Sequence, residues 1–373
     1  MTLITNHYRV GASRRALPVE RAWVYRPSEK WTYSHHPHLA FFRGRFHAMW
    51  SNAPQHEDEP GQRVLTASSD DFVHWSRPRP LVDSQRGQAG LRVLTAAGWH
   101  QDGGTLVAYY SRFEHDPAGI AEGPGGFYAA RHVDVRLMAV TSENGRHWSD
   151  PIDLHLPVVG NHGPRPTASG RLILCGHLSL PHTDQSDGLG GWTMAGLYAP
   201  DPGAPFVDDF YHVSATAKAA GWPTHLAEAC FVQSDDGVIH VFLRSQENRL
   251  WRSVSRDDGE TFSAPEPTDF TDDGARSHLG RLPDGRFYHV GTPDPHGRQI
   301  VRSPLVLSIS RDGADFDTSY ILADSPYEMQ RDGFRKPGQY GYPHTLIREG
   351  FLHVIVSRRK EAIEVLRVDI AAL

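Results

Sequence analysis

The chain has 373 residues, a formal charge of −6 at pH 7 and no apolar run long enough to cross a membrane. Its 38 basic and 44 acidic side chains include no basic block, which argues against nucleic acid as a partner. Glycine and proline are abundant, with 35 and 27 copies, and 9 tryptophans, 13 tyrosines and 16 phenylalanines provide material for a core. This composition predicts a turn-rich, folded protein and excludes general disorder.

The N-terminal residues and the two cysteines indicate in which cellular compartment the protein is expected. Residues 1–10 contain no basic stretch followed by an apolar one, as a secretory signal would. The sequence as given is therefore expected to be cytoplasmic, or the trimmed mature form of a secreted protein. Cys175 and Cys230 lie in apolar, strand-like runs, so we expect free buried thiols and no disulfide framework.

A glycine-centred turn between two apolar, strand-like runs recurs six times along the chain. Such pairs of runs are typical of β-hairpins. The turns are 48 to 67 residues apart, and their glycines are Gly44, Gly104, Gly170, Gly237, Gly285 and Gly350. A hairpin repeated at this spacing predicts a fold built from similar sheets.

A second repeat is present in four segments that approximate the pattern Ser/Thr-x-acid-x-Gly-x-x-aromatic. They start at Ser68, Thr141, Ser255 and Ser310, and the acids of the pattern are Asp70, Glu143, Asp257 and Asp312. These segments resemble the Asp-box of sialidase-like β-propellers. In such a turn the acid accepts hydrogen bonds from backbone N–H groups, glycine takes a positive φ, and the aromatic ring packs on the sheet.

The order hairpin, third strand, box and fourth strand predicts an all-β fold, a β-propeller of four-stranded antiparallel blades. Six repeats can be counted. The last repeat, residues 342–369, contains about three strands, so we expect an N-terminal strand such as residues 22–25 to complete it. Residues 1–373 are predicted to form a single propeller domain.

One mouth of the ring is predicted to be rich in histidine, arginine and tyrosine. In a blade the first strand begins and the second strand ends on the same face, because the two are antiparallel. Guanidinium groups bind carboxylates through paired hydrogen bonds, so a concave site of this composition suits an anionic ligand such as a carboxylated sugar. Counting from the hairpin glycines reaches His35, His36, His38, Ser51, Asn52, Tyr109, Tyr110, Arg112, Asn161, His162, His177, Glu228, Arg244, Arg276, His278, Tyr342, His344, Arg358, Arg359 and Lys360.

Motifs for several other chemistries are absent from the sequence. There is no HExxH, no Cys/His ligand spacing and no EF-hand loop, so we expect no catalytic metal, although a structural cation stays open. Walker loops and the Gly-x-Ser-x-Gly motif are also missing, which argues against nucleotide binding and the usual serine hydrolases.

The N-terminal repeat resembles a particular group of sialidase-like propellers. Segments 33–39, 50–52 and 56–64 are similar to the first blade of the ulvan lyases and of the enzymes that release L-rhamnose from rhamnosyl-α-1,4-glucuronic acid in arabinogalactan and gum arabic. Segments 342–346 and 359–363 resemble the same group. Its members have seven blades, so the resemblance favours seven blades over the six repeats that can be counted.

The resemblance also implies roles for individual residues. In the related lyases a His and a Tyr act as base and acid, while an Arg and a second His neutralise the uronate. This implies catalytic roles for His36, His56, Tyr109 or Tyr110, and Arg112, with Arg131 and Arg136 as alternatives for the arginine. The residues expected to bind substrate are His35, Asn52, Arg131, His162, Arg244, Arg276, His278, Tyr342 and His344.

The implied activity is that of a polysaccharide lyase that removes L-rhamnose from rhamnosyl-glucuronate ends by β-elimination. Its partner would be an acidic oligo- or polysaccharide, and no cofactor would be required. Two alternatives stay open: an exo-glycoside hydrolase, of the α-L-rhamnosidase or sialidase-like type, and a carbohydrate-binding propeller without catalysis. Sialidases carry an Arg-Ile-Pro motif where this chain has His36 and Pro37, which argues against sialidase activity itself.

Overall fold

The computed structural model describes residues 4–9, 14–197, 207–222, 224–297 and 299–373. The protein is all-β apart from three short 3-10 turns and one α-helix in the described residues, α1 (Phe210–Ala219). No helix in these ranges is long and apolar enough to span a bilayer. The strands are β1 (Arg15–Ala16), β2 (Glu20–Tyr25), β3 (Tyr33–Phe42), β4 (Arg45–Ala53), β5 (Arg63–Ser69), β6 (Arg79–Val82), β7 (Val93–Asp102), β8 (Thr105–His115), β9 (His132–Ser142), β10 (Ile152–Leu156), β11 (His162–Pro166), β12 (Leu172–Cys175), β13 (His182–Thr183), β14 (Ala227–Gln233), β15 (Ile239–Arg244), β16 (Arg249–Ser255), β17 (Glu266–Thr271), β18 (His278–Arg281), β19 (Phe287–Gly291), β20 (Leu305–Ser310), β21 (Thr318–Ala323), β22 (Tyr340–Arg348), β23 (Phe351–Arg358) and β24 (Ala362–Asp369).

The described strands form six sheets. Sheet 1 contains β3 to β6, sheet 2 contains β7 to β10, sheet 3 contains β11 to β13, sheet 4 contains β14 to β17, sheet 5 contains β18 to β21 with β1, and sheet 6 contains β22 to β24 with β2. Neighbouring strands are antiparallel, except that β1 pairs with β21 in parallel. Each of the six hairpin glycines lies between the first and second strands of one sheet, as the repeat predicts.

The sheets pack face to face around a common axis. The first strand β3 of sheet 1 contacts both β7 and β22, and further contacts join β7 to β11, β12 to β14, β14 to β18 and β18 to β22. Each pair of adjacent sheets encloses its own hydrophobic core. The first strands of the sheets therefore line the centre of the structure.

Strand β8 illustrates how the sequence produces these cores. Successive side chains of a strand point to opposite faces of the sheet. Val107 and Tyr109 accordingly pack between sheets 2 and 3, while Ala108 and Tyr110 pack between sheets 1 and 2. Because both faces are covered, the middle of the strand is a continuous apolar run and does not alternate with polar residues.

The N-terminal strand closes the ring, which confirms the expectation for residues 22–25. Strand β2 pairs antiparallel with β24, and Ala22 lies opposite Val365. Ala22 and Val24 are buried in the core between sheets 6 and 1. The closure therefore joins the beginning of the chain to its last repeat and leaves β24 with a partner on both sides.

The Asp-boxes lie between the third and fourth strands of sheets 1, 2, 4 and 5. The predicted acids Asp70 and Glu143 were placed one residue too early. The capping acceptors are Asp71, whose Oδ1 accepts from the backbone of residue 74 at 2.8 Å, and Asn144, whose Oδ1 accepts from residue 147 at 2.9 Å. Both sites contain two adjacent polar residues, and only the second lies at the right distance from the N–H donors of its turn.

We expect replacement of Val24 by Asp to lower the free energy of unfolding by about 3 kcal/mol or more, because the variant would bury an unpaired carboxylate. Val24 is 4% exposed and packs where β2 closes the ring. Urea unfolding at pH 7, followed by tryptophan fluorescence, would measure the change. The control Glu20→Gln, at an exposed position of the same strand, should cost about 0–1 kcal/mol. Equal stabilities of the two variants would contradict closure by β2.

Candidate functional site

A cavity of about 260 Å³ lies at the end of the ring where the first strands begin and the second strands end. Its walls carry an unusual number of ionisable side chains. They are His36, Glu57, Asp58, His132, His177, Glu228, Arg244, Arg302, Arg335, Tyr342 and Lys360, together with Thr95, Phe113, Val159, Asn161, Gln246, Ile300 and Pro337. The cavity is therefore a polar, charged site at the mouth that the hairpin count predicts.

β-Bulges in the first strands turn three side chains into the cavity. The pairing register shifts between His35 and His38 in β3, between Ala227 and Cys230 in β14, and between Gly341 and His344 in β22. The residues within these bulges include His36, Glu228 and Tyr342, with φ values of 54°, 58° and 52°. Positive φ is uncommon for residues other than glycine, and such conformations concentrate at functional sites.

Tyr342, Glu228 and Arg244 form a hydrogen-bonded group in the cavity wall. The Tyr342 hydroxyl donates to Glu228 Oε1. Arg244 Nη1 donates to Glu228 Oε2 at 2.9 Å and to the Tyr342 oxygen at 3.0 Å. The carboxylate therefore accepts a hydrogen bond from the phenol, while the guanidinium lies beside the oxygen on which negative charge would develop.

The same contacts determine the protonation of this group. Burial alone would raise the pKa of Glu228, but the positive charge of Arg244 and the hydrogen bond from Tyr342 hold that pKa well below its ordinary value. Burial and the charge of Glu228 raise the pKa of Tyr342. At neutral pH the pair is thus a neutral phenol and an anionic carboxylate, with a proton available for transfer between them.

Arg302 provides a second cation in the cavity. It lies in the connection between β19 and β20, where Asp273 Oδ2 accepts from its backbone N–H at 2.5 Å. Its side chain is 2% exposed, and Nη2 donates to the carbonyl of Gly274 at 2.6 Å. Nε and Nη1 make no hydrogen bond to the described part of the chain, so these two donors are available to a ligand.

A second group surrounds Glu57, which Lys360 holds by a buried ion pair. Lys360 Nζ is 2.8 Å from both carboxylate oxygens of Glu57, and the Tyr33 hydroxyl donates to Oε1 at 3.1 Å. Burial lowers the pKa of Lys360 to about 8. Burial together with the charge of Glu57 raises the pKa of the adjacent Asp58 to about 7. Asp58 is therefore a carboxylic acid that can gain or lose a proton near neutral pH.

His36 lies between these two groups. Its Nδ1 is 3.1 Å from Ser51 Oγ, and its Nε2 is 3.9 Å from Glu57 Oε1. Burial lowers the pKa of His36 to about 3, which leaves a neutral imidazole in the cavity wall. Its ring lies 4.4 Å from the ring of His35 and 5.4 Å from that of Tyr342.

Only some of the predicted site residues line the cavity. Among them His36, Arg244 and Tyr342 do so. His35 and Asn52 are buried behind the wall, where His35 Nδ1 is 2.7 Å from Ser357 Oγ and Asn52 donates to the carbonyl of Tyr33 at 2.9 Å. They support the cavity from behind and do not line it.

Tyr109, Tyr110, Arg112 and Arg131 are not brought together with His36. Tyr109 and Tyr110 are buried in the two cores beside sheet 2, and the Tyr109 hydroxyl donates to the carbonyl of Gly188 at 3.0 Å. Arg112 lies 3.3 Å from Asp134, and Arg131 is exposed. The strand alternation that fills the cores removes the two tyrosines from the cavity.

His56 lies outside the cavity wall, beside Phe334. Its Nδ1 accepts a hydrogen bond from the backbone N–H of Phe334 at 3.1 Å, and the two rings are 5.0 Å apart. The neighbouring residues Glu57 and Asp58 line the cavity instead. His162, Arg276, His278 and His344 lie among the first strands without lining the cavity.

Comparison with known proteins identifies the family. A family model described as a BNR repeat-like domain matches residues 44–354. The chain belongs to this family. The search of curated proteins finds no match.

Solved structures with the same fold include sialidases. The BNR repeat-like chain matches a Dyadobacter fermentans protein of unknown function at 17% identity and a TM-score of 0.64, over 94% of this chain and 99% of that one. It matches a Ruminococcus gnavus intramolecular trans-sialidase in complex with oseltamivir carboxylate at 14% identity and a TM-score of 0.63, over 94% and 98% of the two chains. It also matches a Trypanosoma rangeli sialidase with 2,3-difluorosialic acid, described as a covalent intermediate, at 12% identity and a TM-score of 0.63, over 94% and 59%. At these identities the matches establish a sialidase-like β-propeller fold.

The catalytic and substrate-binding residues predicted from the sequence omit six charged side chains of the cavity, which are Glu57, Asp58, Glu228, Arg302, Arg335 and Lys360. Glu228 does lie on the predicted mouth, and its position near the start of β14 was a signal that could have identified it as a site residue. Asp58 follows His56 and Glu57 in an acidic stretch that is equally consistent with a solvated turn. Lys360 is also on the predicted mouth. Arg302 lies in a connection between strands, and no spacing in the sequence distinguishes it.

Three neighbouring side chains at the site could be considered for a cation. The possible ligand atoms of His35, His36 and Glu57 lie within 4.8 Å of one another. In the described ranges this is the cluster of three possible metal ligands that is found. Lys360 already lies 2.8 Å from both oxygens of Glu57 and supplies the positive charge that a metal ion would bring. This arrangement favours an ion pair over a metal site.

We expect Asp58→Asn to stabilise the protein, and more at pH 8 than at pH 5. The pKa of Asp58 rises from its ordinary value near 3.8 to about 7 on folding, so stability due to this group is full below pH 3.8 and declines as pH approaches 7. Each unit of pKa difference corresponds to about 1.4 kcal/mol, so the extra gain at pH 8 should be a few kcal/mol. Urea unfolding at the two pH values measures it. The exposed control Asp83→Asn should show no such difference, and a pH-independent effect of Asp58→Asn would contradict the assignment.

Proposed function

We propose that this protein is a retaining exo-glycoside hydrolase that acts on a carboxylate-bearing sugar at the end of a glycan. The observation that carries the proposal is the hydrogen-bonded pair of Tyr342 and Glu228 in a cavity that also contains Arg244 and Arg302. Sialidases are glycosidases with a tyrosine nucleophile, unlike most families, which use a pair of carboxylates. The sialidase-like fold supports the same class of chemistry for this chain.

The two arginines would bind the substrate carboxylate. Arg302 has two donors without a partner in the described residues, and Arg244 lies at the cavity wall beside Tyr342. A guanidinium binds a carboxylate through parallel hydrogen bonds, and burial strengthens that interaction. The carboxylate would thereby orient the sugar with its anomeric carbon toward the Tyr342 hydroxyl.

Tyr342 would act as the nucleophile. As its oxygen attacks the anomeric carbon, its proton passes to Glu228, and the bond to the leaving-group oxygen breaks. Arg244, 3.0 Å from the phenolic oxygen, stabilises the charge that develops there. A neutral tyrosine is a weak nucleophile, so the anionic Glu228 is needed as its base.

Asp58 would act as the general acid and base. In its protonated form it donates a proton to the departing glycosidic oxygen, and as a carboxylate it then takes a proton from the water that cleaves the tyrosyl–sugar bond. As that bond breaks, Glu228 returns its proton to the Tyr342 oxygen. A pKa near 7 suits both steps. These steps use side chains of this chain alone and require no cofactor.

The proposal includes the architecture of the propeller and the number of its blades. We infer that residues 1–373 form one propeller domain and that the six sheets are its blades, because contacts between neighbouring sheets lead from each sheet to the next and back to the first. The connections after the second strands surround the cavity on several sides, as a site for the end of a glycan requires.

A uronate lyase is the second candidate, and His36 is the residue that favours it. Its neutral imidazole faces the same cavity as Arg244 and Arg302, which would neutralise a uronate carboxylate and acidify the proton at C5. His36 would remove that proton, and Tyr342 would protonate the leaving oxygen at C4. The substrate would be the rhamnosyl-α-1,4-glucuronate ends of arabinogalactan or gum arabic, or else ulvan.

One experiment separates the two candidates. The protein is incubated with gum arabic, with ulvan, and with 4-methylumbelliferyl glycosides of sialic acid and glucuronic acid. Elimination produces an unsaturated uronate that absorbs near 235 nm, whereas hydrolysis releases a saturated sugar without that absorbance. Release of methylumbelliferone supports the hydrolase. An increase in absorbance that is lost when His36 is replaced would overturn the hydrolase and support the lyase. Binding of the glycan without any product would indicate a carbohydrate-binding protein.

We expect Tyr342→Phe to lower kcat on the glycoside that is turned over by about 10³-fold or more, because the nucleophile is lost. Turnover is followed by the fluorescence of methylumbelliferone. Tyr340→Phe is the matched control on the same strand, since its hydroxyl donates to the carbonyl of Ser325, away from the cavity. Full activity of Tyr342→Phe would rule out the tyrosine mechanism.

The dependence of kcat on pH should follow Asp58. The group must be protonated to donate to the leaving oxygen, so kcat should fall as pH rises above about 7. Asp58→Asn should lower kcat by about 10²–10⁴-fold on a glycoside with a poor leaving group. The loss should be smaller with 4-methylumbelliferone, which needs little protonation. An equal loss with both leaving groups would indicate that Asp58 is not the acid.

A further inference from the structure

Histidines from four first strands come together at the centre of the ring, next to the cavity. They are His38 in β3, His162 in β11, His278 in β18 and His344 in β22. The ring centroids are 5.0 Å apart for His38 and His344, 4.6 Å for His278 and His344, and 5.1 Å for His162 and His278. The proposed hydrolysis uses none of them.

Arg276 is fully buried and close enough to these rings for its charge to act on all four. Its Nη1 donates to the backbone carbonyl of Asn161, but Nε and Nη2 have no hydrogen-bond partner in the described residues. The side-chain amide nitrogen of Asn161 is equally unpartnered there. Glu228, the carboxylate whose charge acts on Arg276, is already paired with Arg244 at 2.9 Å. Burial lowers the pKa of Arg276 to about 10, so the guanidinium stays charged at neutral pH.

The unpartnered groups of Arg276 and Asn161 can only donate hydrogen bonds. His344 adds a further donor, because its Nδ1 accepts from the backbone N–H of Leu39 at 3.3 Å and the proton of the neutral ring is therefore on Nε2. Burial lowers the pKa of His344 to about 3, with the charge of Arg276 acting in the same direction. Buried donors without acceptors are rare and costly, so the unpartnered donors of Arg276 and Asn161 call for an electron-rich partner.

A metal ion is a poor partner for this cluster. Neutral histidines are common metal ligands, but no three of these four place their ring nitrogens within 4.8 Å of one another in the described structure. A divalent cation among them would also be close to the guanidinium of Arg276, whose charge acts on all four rings. Positive charge repels a cation and attracts an anion.

We propose that Arg276, Asn161 and His344 bind a small monovalent anion of halide size next to Tyr342. The position is defined by Arg276, whose Cζ lies 4.7 Å from the centroid of the Tyr342 ring. The cations of the cavity wall are Arg244 and Arg302, whereas Arg276 and His344 do not line the cavity; Asn161 is shared, because it also lines the wall. A bound halide would offset the cost of burying the guanidinium without an ion-pair partner and would thereby stabilise the fold.

Diffraction from crystals grown in sodium bromide tests the site directly. We expect an anomalous bromide peak within hydrogen-bonding distance of the Arg276 guanidinium. Peaks that occur only at Arg244 and Arg302, or only on the protein surface, would overturn the proposal. This measurement uses the wild-type protein and does not depend on any variant being able to fold.

Thermal unfolding in solution provides the second test. At equal ionic strength the midpoint should be higher in sodium bromide or chloride than in sodium gluconate, whose anion is too large for the site, and the shift should grow with halide concentration. Arg276→Met should abolish the difference, whereas Arg244→Gln, which removes a cation from the cavity wall, should retain it. A halide shift that persists in Arg276→Met, or no shift in the wild type, would contradict the proposal. Neither outcome depends on glycosidase activity.

Discussion

Bulges at one level of the first strands are the feature on which the rest of the site depends. A regular strand between two sheets sends alternate side chains into the cores on its two sides, as β8 does. An extra residue at the bulge interrupts that alternation and re-aims a side chain. His36, Glu228 and Tyr342 reach the cavity in this way, with φ values of 54°, 58° and 52°. The packed sheets on either side hold these less favourable backbone conformations in place.

The cavity wall contains four cations, Arg244, Arg302, Arg335 and Lys360, against three carboxyl groups, Glu57, Asp58 and Glu228. Arg244 and Lys360 are each paired with one carboxylate, Glu228 and Glu57, whereas Arg302 keeps two donors without a partner in the described residues. Within a protein interior, charged groups interact more strongly than in water. A ligand that brings its own carboxylate therefore completes the charge balance of the site, which is why an acidic sugar fits both the hydrolase and the lyase.

The two candidate reactions share a cavity and differ in the residue that attacks. Hydrolysis requires Tyr342 to be activated by Glu228, and these residues are in direct hydrogen-bond contact. Elimination requires a neutral base, and His36 meets that requirement through burial. The resemblance to ulvan and rhamnose lyases rests on the sequence around His36 and on segments 342–346 and 359–363. The structural argument for hydrolysis rests on the contact between Glu228 and Tyr342. The roles that the resemblance implied for Tyr109, Tyr110 and His56 have no counterpart in the cavity.

The sequence by itself determined the repeat, the all-β class, the closing strand and the mouth on which the site lies. These features follow from local rules, because hairpin glycines, Asp-box turns and apolar runs act over a few residues. Tertiary structure decided which residues of the mouth meet. Arg302 approaches Tyr342 from a connection in another sheet, and Asp58 acquires its raised pKa from burial and from Glu57. A bulge, a buried charge and the contact between distant strands depend on packing across the ring, and no spacing along the chain encodes them.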